Sequence, residues 1–399
     1  VGSIAGATKV PSNKQQEEEI SQYNGQAPAA KLVFHDIGKT GGGLTVDSDK
    51  LDSEVLQPAY DLNARIHSNS WGCSGADPSY CNLYDGGARA VDDFVWKHRD
   101  MLVLFAAGND GANGAAITQT VGSPATAKSA FVIGAQQSTF QSFQESVNWY
   151  DWEERRVQAA EQLGVRDLDC CDPPANANKH AVRRFCCREQ ILADLVGQEA
   201  RKGQNNVAEF SSRGPTYDGR VKPDILAPGQ NIISSHSNSG SGAQQTHCGL
   251  ESPQLGNSAA RLSMQGTSMA CPTAAGNAAL VRQYFLEGWY PTGKKTAANG
   301  FNPSGALVKA TMVASTINLD GEIDIGNNGT WQQIDPIWPK FSTVQGFGAV
   351  QLDNALYFEG ESMHNLYVED VWLQGKDSGR GFANEDETRG WCVEATGSQ

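Results

Sequence analysis

The most informative stretch of this sequence is Gly266-Thr267-Ser268-Met269-Ala270-Cys271-Pro272. It places a serine at the start of a predicted helix, after a glycine whose conformational freedom permits a tight turn. The N-terminus of a helix stabilises negative charge that develops beside Ser268. Pro272 is tolerated there because amides in the first turn have no intrahelical partner. The alternative is an ordinary helix that Thr267 or Ser268 merely caps.

A second stretch, Phe105-Ala106-Ala107-Gly108-Asn109-Asp110-Gly111, ends a predicted buried strand with an amide side chain held on a glycine turn. An asparagine in this place can donate its side-chain N–H to an oxyanion. The backbone N–H of Ser268 would be the second donor. The two stretches together therefore indicate a serine nucleophile that attacks a carbonyl carbon.

Three further motifs lie in order between these two stretches. They are Phe210-Ser211-Ser212-Arg213-Gly214-Pro215, Lys222-Pro223-Asp224-Ile225 and Ala227-Pro228-Gly229. With them the chain resembles the subtilase family of serine endopeptidases, and especially the alkaline protease branch whose catalytic domain is followed by a β-sandwich. The resemblance covers residues 1–352, apart from a cysteine-containing insertion at about 140–206. It implies that residues 353–399 begin a C-terminal β-sandwich-like domain.

The resemblance also implies roles for particular residues. Ser268 is the nucleophile and Asn109 is the oxyanion donor. Residues 120–124 match the segment that closes the primary specificity pocket, and residues 70–72 match the strand edge that pairs with the substrate backbone. Gly122 lies at the base of the pocket, which implies room for large apolar side chains, and Pro124 is a candidate cis proline. The substrate-binding residues are Ser70, Trp71, Gly72, Ala107, Gly108 and Gly122.

The catalytic Asp and His of the family are not found in this chain. Family members run in the order Asp, His, Ser, with the His in a His-Gly-Thr-His motif directly before a small-residue helix. Residues 1–6 resemble the end of that helix, and residues 25–32 resemble the turn and strand after it. We therefore expect the Asp and His motifs to precede Val1, and the chain alone to lack the base that activates Ser268.

No other residue in the chain is a good candidate to replace the missing catalytic Asp and His. Asp36 imitates the Asp-Thr-Gly strand of the family, but it follows the Ala-Pro turn and so belongs to the next strand. The adjacent His35 and Asp36 suggest a metal phosphohydrolase, and Gly38-Lys39-Thr40 suggests a phosphate-binding loop. The first lacks further ligands, and the second has Val33 where glycine is required. The remaining histidines have no family-like context: His67, His98, His180, His236, His247 and His364.

The fold class follows from strands that alternate with helices, a pattern typical of a parallel sheet covered on both faces. Together with the resemblance, it predicts a three-layer α/β fold that is subtilisin-like, mainly parallel and truncated at its N-terminus. The predicted strands are 31–36, 64–69, 101–107 and 130–134, and the predicted helices are 51–63, 86–98, 267–287 and 303–315. Short strand-like pieces follow at 366–368 and 391–393.

Charge and hydropathy restrict the partners. A net charge of -14 argues against nucleic acid, which requires a basic surface. No apolar run approaches the roughly 18 residues of a membrane-spanning helix. We expect a monomer that acts on polypeptides and requires no cofactor. Family members often bind structural calcium, but no loop here is distinctive enough to name ligands.

The nine cysteines leave at least one unpaired within the chain, and no CxxC pair indicates a metal site. Cys73 and Cys81 could close a small loop, and residues 170, 171, 186 and 187 allow three pairings among themselves. With the sequon at Asn328, these cysteines favour an extracellular or secretory location over reduced thiols in the cytosol. Two functions remain open: part of an active endopeptidase, or a non-catalytic peptide-binding or structural relic of one.

Overall fold

Four parallel strands form the central sheet in the computed structural model. They are β1 (Ile66–Asn69), β2 (Leu102–Ala106), β3 (Phe131–Gln137) and β4 (Ile225–Gln230), and they lie side by side in chain order. Leu104 stands opposite Ser68 on one side and Phe131 on the other. The structure describes residues 1–7, 21, 23–38, 46–74, 78–111, 118–146, 159–165, 168–179, 181–182, 203–235, 261–324, 331–334, 342–362 and 364–370.

Helices and antiparallel strand pairs surround this sheet. The helices are α1 (Gly2–Ala5), α2 (Gln57–Asp61), α3 (Pro78–Cys81), α4 (Gly86–Lys97), α5 (Phe140–Ser146), α6 (Thr267–Leu286) and α7 (Gly305–Ala314). Strand β5 (Ile232–Ser235) pairs with β6 (Arg261–Met264), and β7 (Glu322–Asp324) pairs with β8 (Trp331–Gln333). A π-helical turn at Asp52–Leu56 leads into α2, and short 3-10 turns lie at Ser48–Lys50, Ala297–Asn299 and Leu352–Asn354.

The sheet separates two hydrophobic clusters, as the alternating side chains of β2 show. Leu102, Leu104 and Ala106 face a cluster that contains the buried side of α6 and part of α7. Val103 and Phe105 face a second cluster, which contains residues of α4. All five side chains are buried, as expected for a parallel strand covered on both faces. The three-layer α/β architecture predicted from the sequence is confirmed.

Most predicted elements of the main domain are confirmed, with ends that differ by a few residues. The strand predicted at 31–36 is wrong, because this segment has no strand assignment and Phe34 is 76% exposed. A strand requires a partner for its backbone hydrogen bonds, and the described residues pair none with this segment. The strand-like piece at 366–368 is also wrong, since Leu366 and Val368 pack onto the α6 cluster instead.

The described residues of the 140–206 insertion contribute no strand to the central sheet. Ala159, Ala160, Leu168 and Cys170 form a small hydrophobic cluster of their own. Cys170 and Cys171 are disulfide-bonded, but Cys186 and Cys187 lie outside the described residues, so the predicted pairing between them stays a prediction. Residues 391–393 also lie outside the described residues, so the strand-like piece predicted there stays a prediction. The domain boundary at residue 352 stays a prediction as well.

Candidate active site

Ser268 lies in the first turn of α6, at the edge of the sheet where the parallel strands end. Gly266, just before the helix, has a φ of 147°, which residues with a side chain rarely adopt. The amide of Gly266 donates to the carbonyl oxygen of Gly229 at 2.8 Å, which anchors the turn to the end of β4. Because amides of the first helical turn lack an intrahelical acceptor, the N–H of Ser268 is available to a ligand.

Asn109 is fixed by Thr267, the residue before the predicted nucleophile. Its Oδ1 accepts a hydrogen bond from the Thr267 amide at 2.9 Å and another from the Thr267 hydroxyl at 2.9 Å. That hydroxyl also lies 3.1 Å from the carbonyl oxygen of Gly108. With Oδ1 committed to Thr267, the Nδ2 group of Asn109 is the part of the amide left for a ligand. The structure thus brings Asn109 and Ser268 together, as predicted.

Ser70 follows β1 and contacts the same helical turn. Its hydroxyl donates to the Ser268 carbonyl oxygen at 2.9 Å, and the Ser268 hydroxyl lies 3.4 Å from the Ser70 carbonyl oxygen. Trp71 packs edge-on against Phe105, with ring centroids 5.5 Å apart. Gly72 lies against the Ser123 carbonyl, where an added Cβ would be 3.2 Å from the oxygen. The predicted substrate edge at 70–72 therefore adjoins both Ser268 and the segment at 120–124.

The predicted specificity segment, residues 120–124, is bonded both to the end of the substrate edge at residues 70–73 and to the end of β2 at residues 107–108. The amide of Gly122 donates to the Ala107 carbonyl oxygen at 3.4 Å, and the Cys73 amide donates to the Ser123 carbonyl oxygen at 2.7 Å. The Ser123–Pro124 peptide bond is cis, which confirms the prediction for Pro124. All predicted substrate-binding residues are thus collected around the end of β2.

Gly122 does not have open space beside it. A Cβ added there would overlap the carbonyl oxygen of Cys73. Because Gly122 has no side chain, its backbone can contact the backbone of Cys73. The space where a Cβ would lie is therefore occupied by the Cys73 carbonyl group. The expectation of a large pocket stays a prediction that Gly122 by itself does not support, and a side chain placed there would displace Cys73.

The described histidines do not activate Ser268. Of His35, His67, His98 and His364, none is hydrogen-bonded to the Ser268 hydroxyl. Burial, with a smaller contribution from nearby His35, lowers the pKa of His67 to about 4. Asp36 is exposed and accepts a hydrogen bond from the Gly38 amide at 2.9 Å. His180, His236 and His247 lie outside the described residues.

Cys271 lies one turn beyond Ser268 and is fully buried. Its sulfur contacts the Ser68 hydroxyl at 3.5 Å and the Asn69 carbonyl oxygen at 3.6 Å. Burial raises its pKa to about 11, so the thiol is neutral at physiological pH and is no competing nucleophile. Within the described part of the chain, no group of three or more His, Cys, Asp or Glu side chains could hold a metal ion.

Comparison with known proteins decides the family. The model of the subtilase family matches residues 1–337 of the 399. The chain belongs to the subtilase family. This assignment confirms the resemblance drawn from the motifs at 105–111, 210–229 and 266–272, and with it the subtilisin-like character of the fold.

Relatives of this subtilase include much longer proteins. The Serine protease/ABC transporter B family protein tagD of Dictyostelium discoideum is 32% identical over 379 residues, which are 91% of this chain and 20% of that protein. The tagA protein of the same organism is 31% identical over 89% of this chain and 19% of its own length. The subtilase chain therefore spans about a fifth of the length of these relatives.

Two further comparisons reach proteases of other sources. Serine protease AprX of Bacillus subtilis is 49% identical over 85 residues, which are 21% of this chain and 18% of that protein. A solved structure, the S41 psychrophilic protease, aligns with a TM-score of 0.41 at 19% identity and covers 82% of this chain and 71% of its own. Among the described residues of this subtilase, no helix is both long and apolar enough to cross a membrane.

Sequence reasoning missed the residues that hold the site in place. Thr267 lies inside the quoted motif, but its bonds to Asn109 cross 158 positions of sequence. Asn82 donates from its buried amide to the Val121 carbonyl oxygen at 2.8 Å, and Asp85 accepts the Ser123 hydroxyl. The position of Asp85 before a helical pattern could have indicated an N-cap, which it is, with the Ala88 amide 3.0 Å away. No local signal marks Asn82.

Proposed function

We propose that this subtilase is a serine endopeptidase that hydrolyses polypeptides through an acyl-enzyme on Ser268. The observation that carries the proposal is the double hydrogen bond from Thr267 to Asn109 Oδ1. It presents the Nδ2 group as a preorganised donor beside the N–H of Ser268 in the first helical turn. Two such donors are the arrangement that stabilises the oxyanion of acyl transfer.

In this mechanism the Ser268 oxygen attacks the carbonyl carbon of the scissile bond. The negative charge moves to the carbonyl oxygen, between Asn109 Nδ2 and the Ser268 amide. The base takes the Ser268 proton and gives it to the departing amine as the C–N bond breaks and the acyl-enzyme forms. Water then attacks the acyl-enzyme carbonyl and gives a proton to the base, which returns it to the Ser268 oxygen as the carboxylic acid is released. Residues 70–72 and 107–108 would pair with the substrate backbone, and residues 120–124 would receive the side chain before the scissile bond. We propose that this reaction requires no cofactor. Calcium, if the protein binds it, would have a structural role.

Ser268 requires a base that the described residues do not supply. A serine hydroxyl is a weak nucleophile at neutral pH without a base within about 2.6–3.2 Å. We infer that a His and an Asp from outside residues 1–399 complete the site, in accordance with the order of catalytic residues in the family. We further propose a monomeric protein of the extracellular or secretory space that does not bind nucleic acid. The competing proposal is a relic that binds peptides without cleaving them.

The test uses the protease in which residues 1–399 are joined to their upstream Asp and His motifs. We expect Ser268→Ala to abolish turnover of a peptide with Phe before the scissile bond, and Asn109→Ala to lower kcat about 10²–10³-fold with little change in KM. This magnitude is the one known for the side-chain oxyanion donor of subtilisin itself and is taken over from that enzyme. Ser53→Ala, an exposed serine, is the matched control and should leave turnover unchanged.

Two outcomes separate the proposals. Residues 1–399 alone should show no turnover that depends on Ser268. If the completed protease binds the peptide but cleaves it no faster than its Ser268→Ala variant does, the relic is the correct description. Turnover by the 399-residue chain that disappears in Ser268→Ala would show instead that the base lies within these residues.

A further inference from the structure

One residue of the specificity segment is held between the two ends of a disulfide loop. Cys73 and Cys81 are disulfide-bonded, with their Cα atoms 5.3 Å apart. The Cys73 amide donates to the Ser123 carbonyl oxygen at 2.7 Å, and the Ser123 amide donates to the Cys81 carbonyl oxygen at 2.8 Å. The backbone of Ser123 is therefore bonded to both half-cystines, and the disulfide closes the ring that contains them.

Residues directly after Cys81 make three more bonds to the same segment. Asn82, only 1% exposed, donates to the Val121 carbonyl oxygen at 2.8 Å. The Ser123 hydroxyl donates to Asp85, and the Thr126 hydroxyl donates to the Leu83 carbonyl oxygen at 2.9 Å. Residues 121–126 thus take their position from residues 73–85, which the disulfide joins to the end of the substrate edge.

The ring lies where the proposed substrate-binding walls meet. Cys73 follows Gly72 directly, and the Gly122 amide donates to Ala107 on the opposite wall at 3.4 Å. The Cys73 carbonyl oxygen occupies the space that a side chain at Gly122 would need. A movement of Cys73 would therefore change the distance between the 70–72 edge and the 120–124 segment, between which the substrate side chain would enter.

We propose that the Cys73–Cys81 disulfide is a specificity-determining clamp, which sets the separation of the Gly72 and Gly122 walls and hence the side chain accepted before the scissile bond. This inference rests on the proposed function, because that function makes these walls a substrate pocket. Without the disulfide, hydrogen bonds to residues 121–126 would have to hold the two loop ends together. Loop ends held only in that way open far more often than a covalently closed ring does.

The first measurement is independent of catalysis. Hydrogen–deuterium exchange of the Ser123 amide is compared between the wild-type chain and the Cys73→Ser/Cys81→Ser variant. We expect about tenfold faster exchange at residues 121–126 in the variant, with unchanged exchange in β3 (Phe131–Gln137). The double variant is needed because Cys170 and Cys171 are also disulfide-bonded and a reductant would act on them as well.

The second measurement is the ratio of kcat/KM for two peptides that differ only in Phe or Ala before the scissile bond, made with the completed protease. We expect the ratio to fall about tenfold in the double variant, chiefly through KM, whereas a general loss of folded enzyme would lower both values and leave the ratio unchanged. Reductant should reproduce this fall in the wild type and change nothing further in the double variant. Ser53→Ala, an exposed serine outside both walls, is the control and should leave the ratio unchanged.

The clamp is wrong if residues 121–126 exchange equally fast with and without the disulfide, or if faster exchange leaves the Phe to Ala ratio unchanged. A failure of the proposed function has a different signature, namely no turnover that depends on Ser268. In that case the quantity compared is the ratio of the dissociation constants of two product peptides, one ending in Phe and one in Ala. An equal binding ratio in wild type and double variant then overturns the clamp as well.

Discussion

Asp224→Ala should cost this subtilase a large part of its stability, because Asp224 is the buried counter-ion of two lysines. Its carboxylate lies 2.7 Å from the Lys222 ammonium, 3.0 Å from the Lys309 ammonium and 2.7 Å from the Val132 amide. Asp224 is 8% exposed and Lys222 is 3% exposed. Removing one partner of a buried ion pair strands the other charge, which costs about 3–5 kcal/mol.

The loss should depend on pH in a defined direction. Burial lowers the pKa of Lys222 to about 8 from an unfolded value near 10.5, even though nearby Asp224 raises it. Between these values the unfolded chain binds more protons, so stability rises with pH. Without Asp224 the pKa of Lys222 should fall further. The variant then loses most at pH 7. It loses less near pH 9.5, where Lys222 is neutral in both folded proteins and only the bonds of Asp224 to Lys309 and to the Val132 amide are missing.

Urea unfolding followed by tryptophan fluorescence at pH 7 and pH 9.5 measures both effects. The matched control is Glu54→Ala, which removes a carboxylate 3.5 Å from the Lys50 ammonium, in a pair whose side chains are 49% and 59% exposed. Exposed pairs contribute at most about 1 kcal/mol, so the control should lose little. The reasoning is refuted if the two variants lose equal free energies of unfolding, or if the loss in Asp224→Ala is the same at both pH values.

Three further predictions concern the site and its surroundings. Thr267→Val should lower kcat of the completed protease about tenfold, because Asn109 loses one of its two bonds, while Thr267→Ser restores it; equal rates for both variants would contradict this. Iodoacetamide at pH 8 should leave Cys271 unlabelled in the folded chain and label it in urea, as peptide mass spectrometry can show, because burial raises its pKa to about 11. The pKa of His67 is lowered to about 4 in the folded state, so stability should decline as the pH falls from about 6.5 to 4, by up to about 3 kcal/mol. His67→Gln should flatten this part of a denaturation profile, and an unchanged slope would exclude His67 as its source.

The motifs predicted the family and the turns around Ser268 and Asn109 well, because each motif couples a residue type to a local backbone shape. Glycine before Ser268 and glycine before Asn109 mark turns at the ends of elements, and such turns can be recognised from sequence alone. The burial of β2 was likewise predictable from its apolar run. The segment at 31–36 was not, because a strand exists only when a second strand offers it hydrogen bonds, and pairing is not a local property.

By itself, the sequence determined the three-layer fold and the family, since these depend on residue types and their order, and it predicted the roles proposed for Ser268 and Asn109. Only the tertiary structure decided how the site is held: that Thr267 turns the Asn109 amide, that Gly122 lies against Cys73, and that Ser123 is bonded to both half-cystines. These contacts join residues up to 158 positions apart, and hydrogen bonding depends on distance and angle in space. No spacing along the chain encodes that geometry.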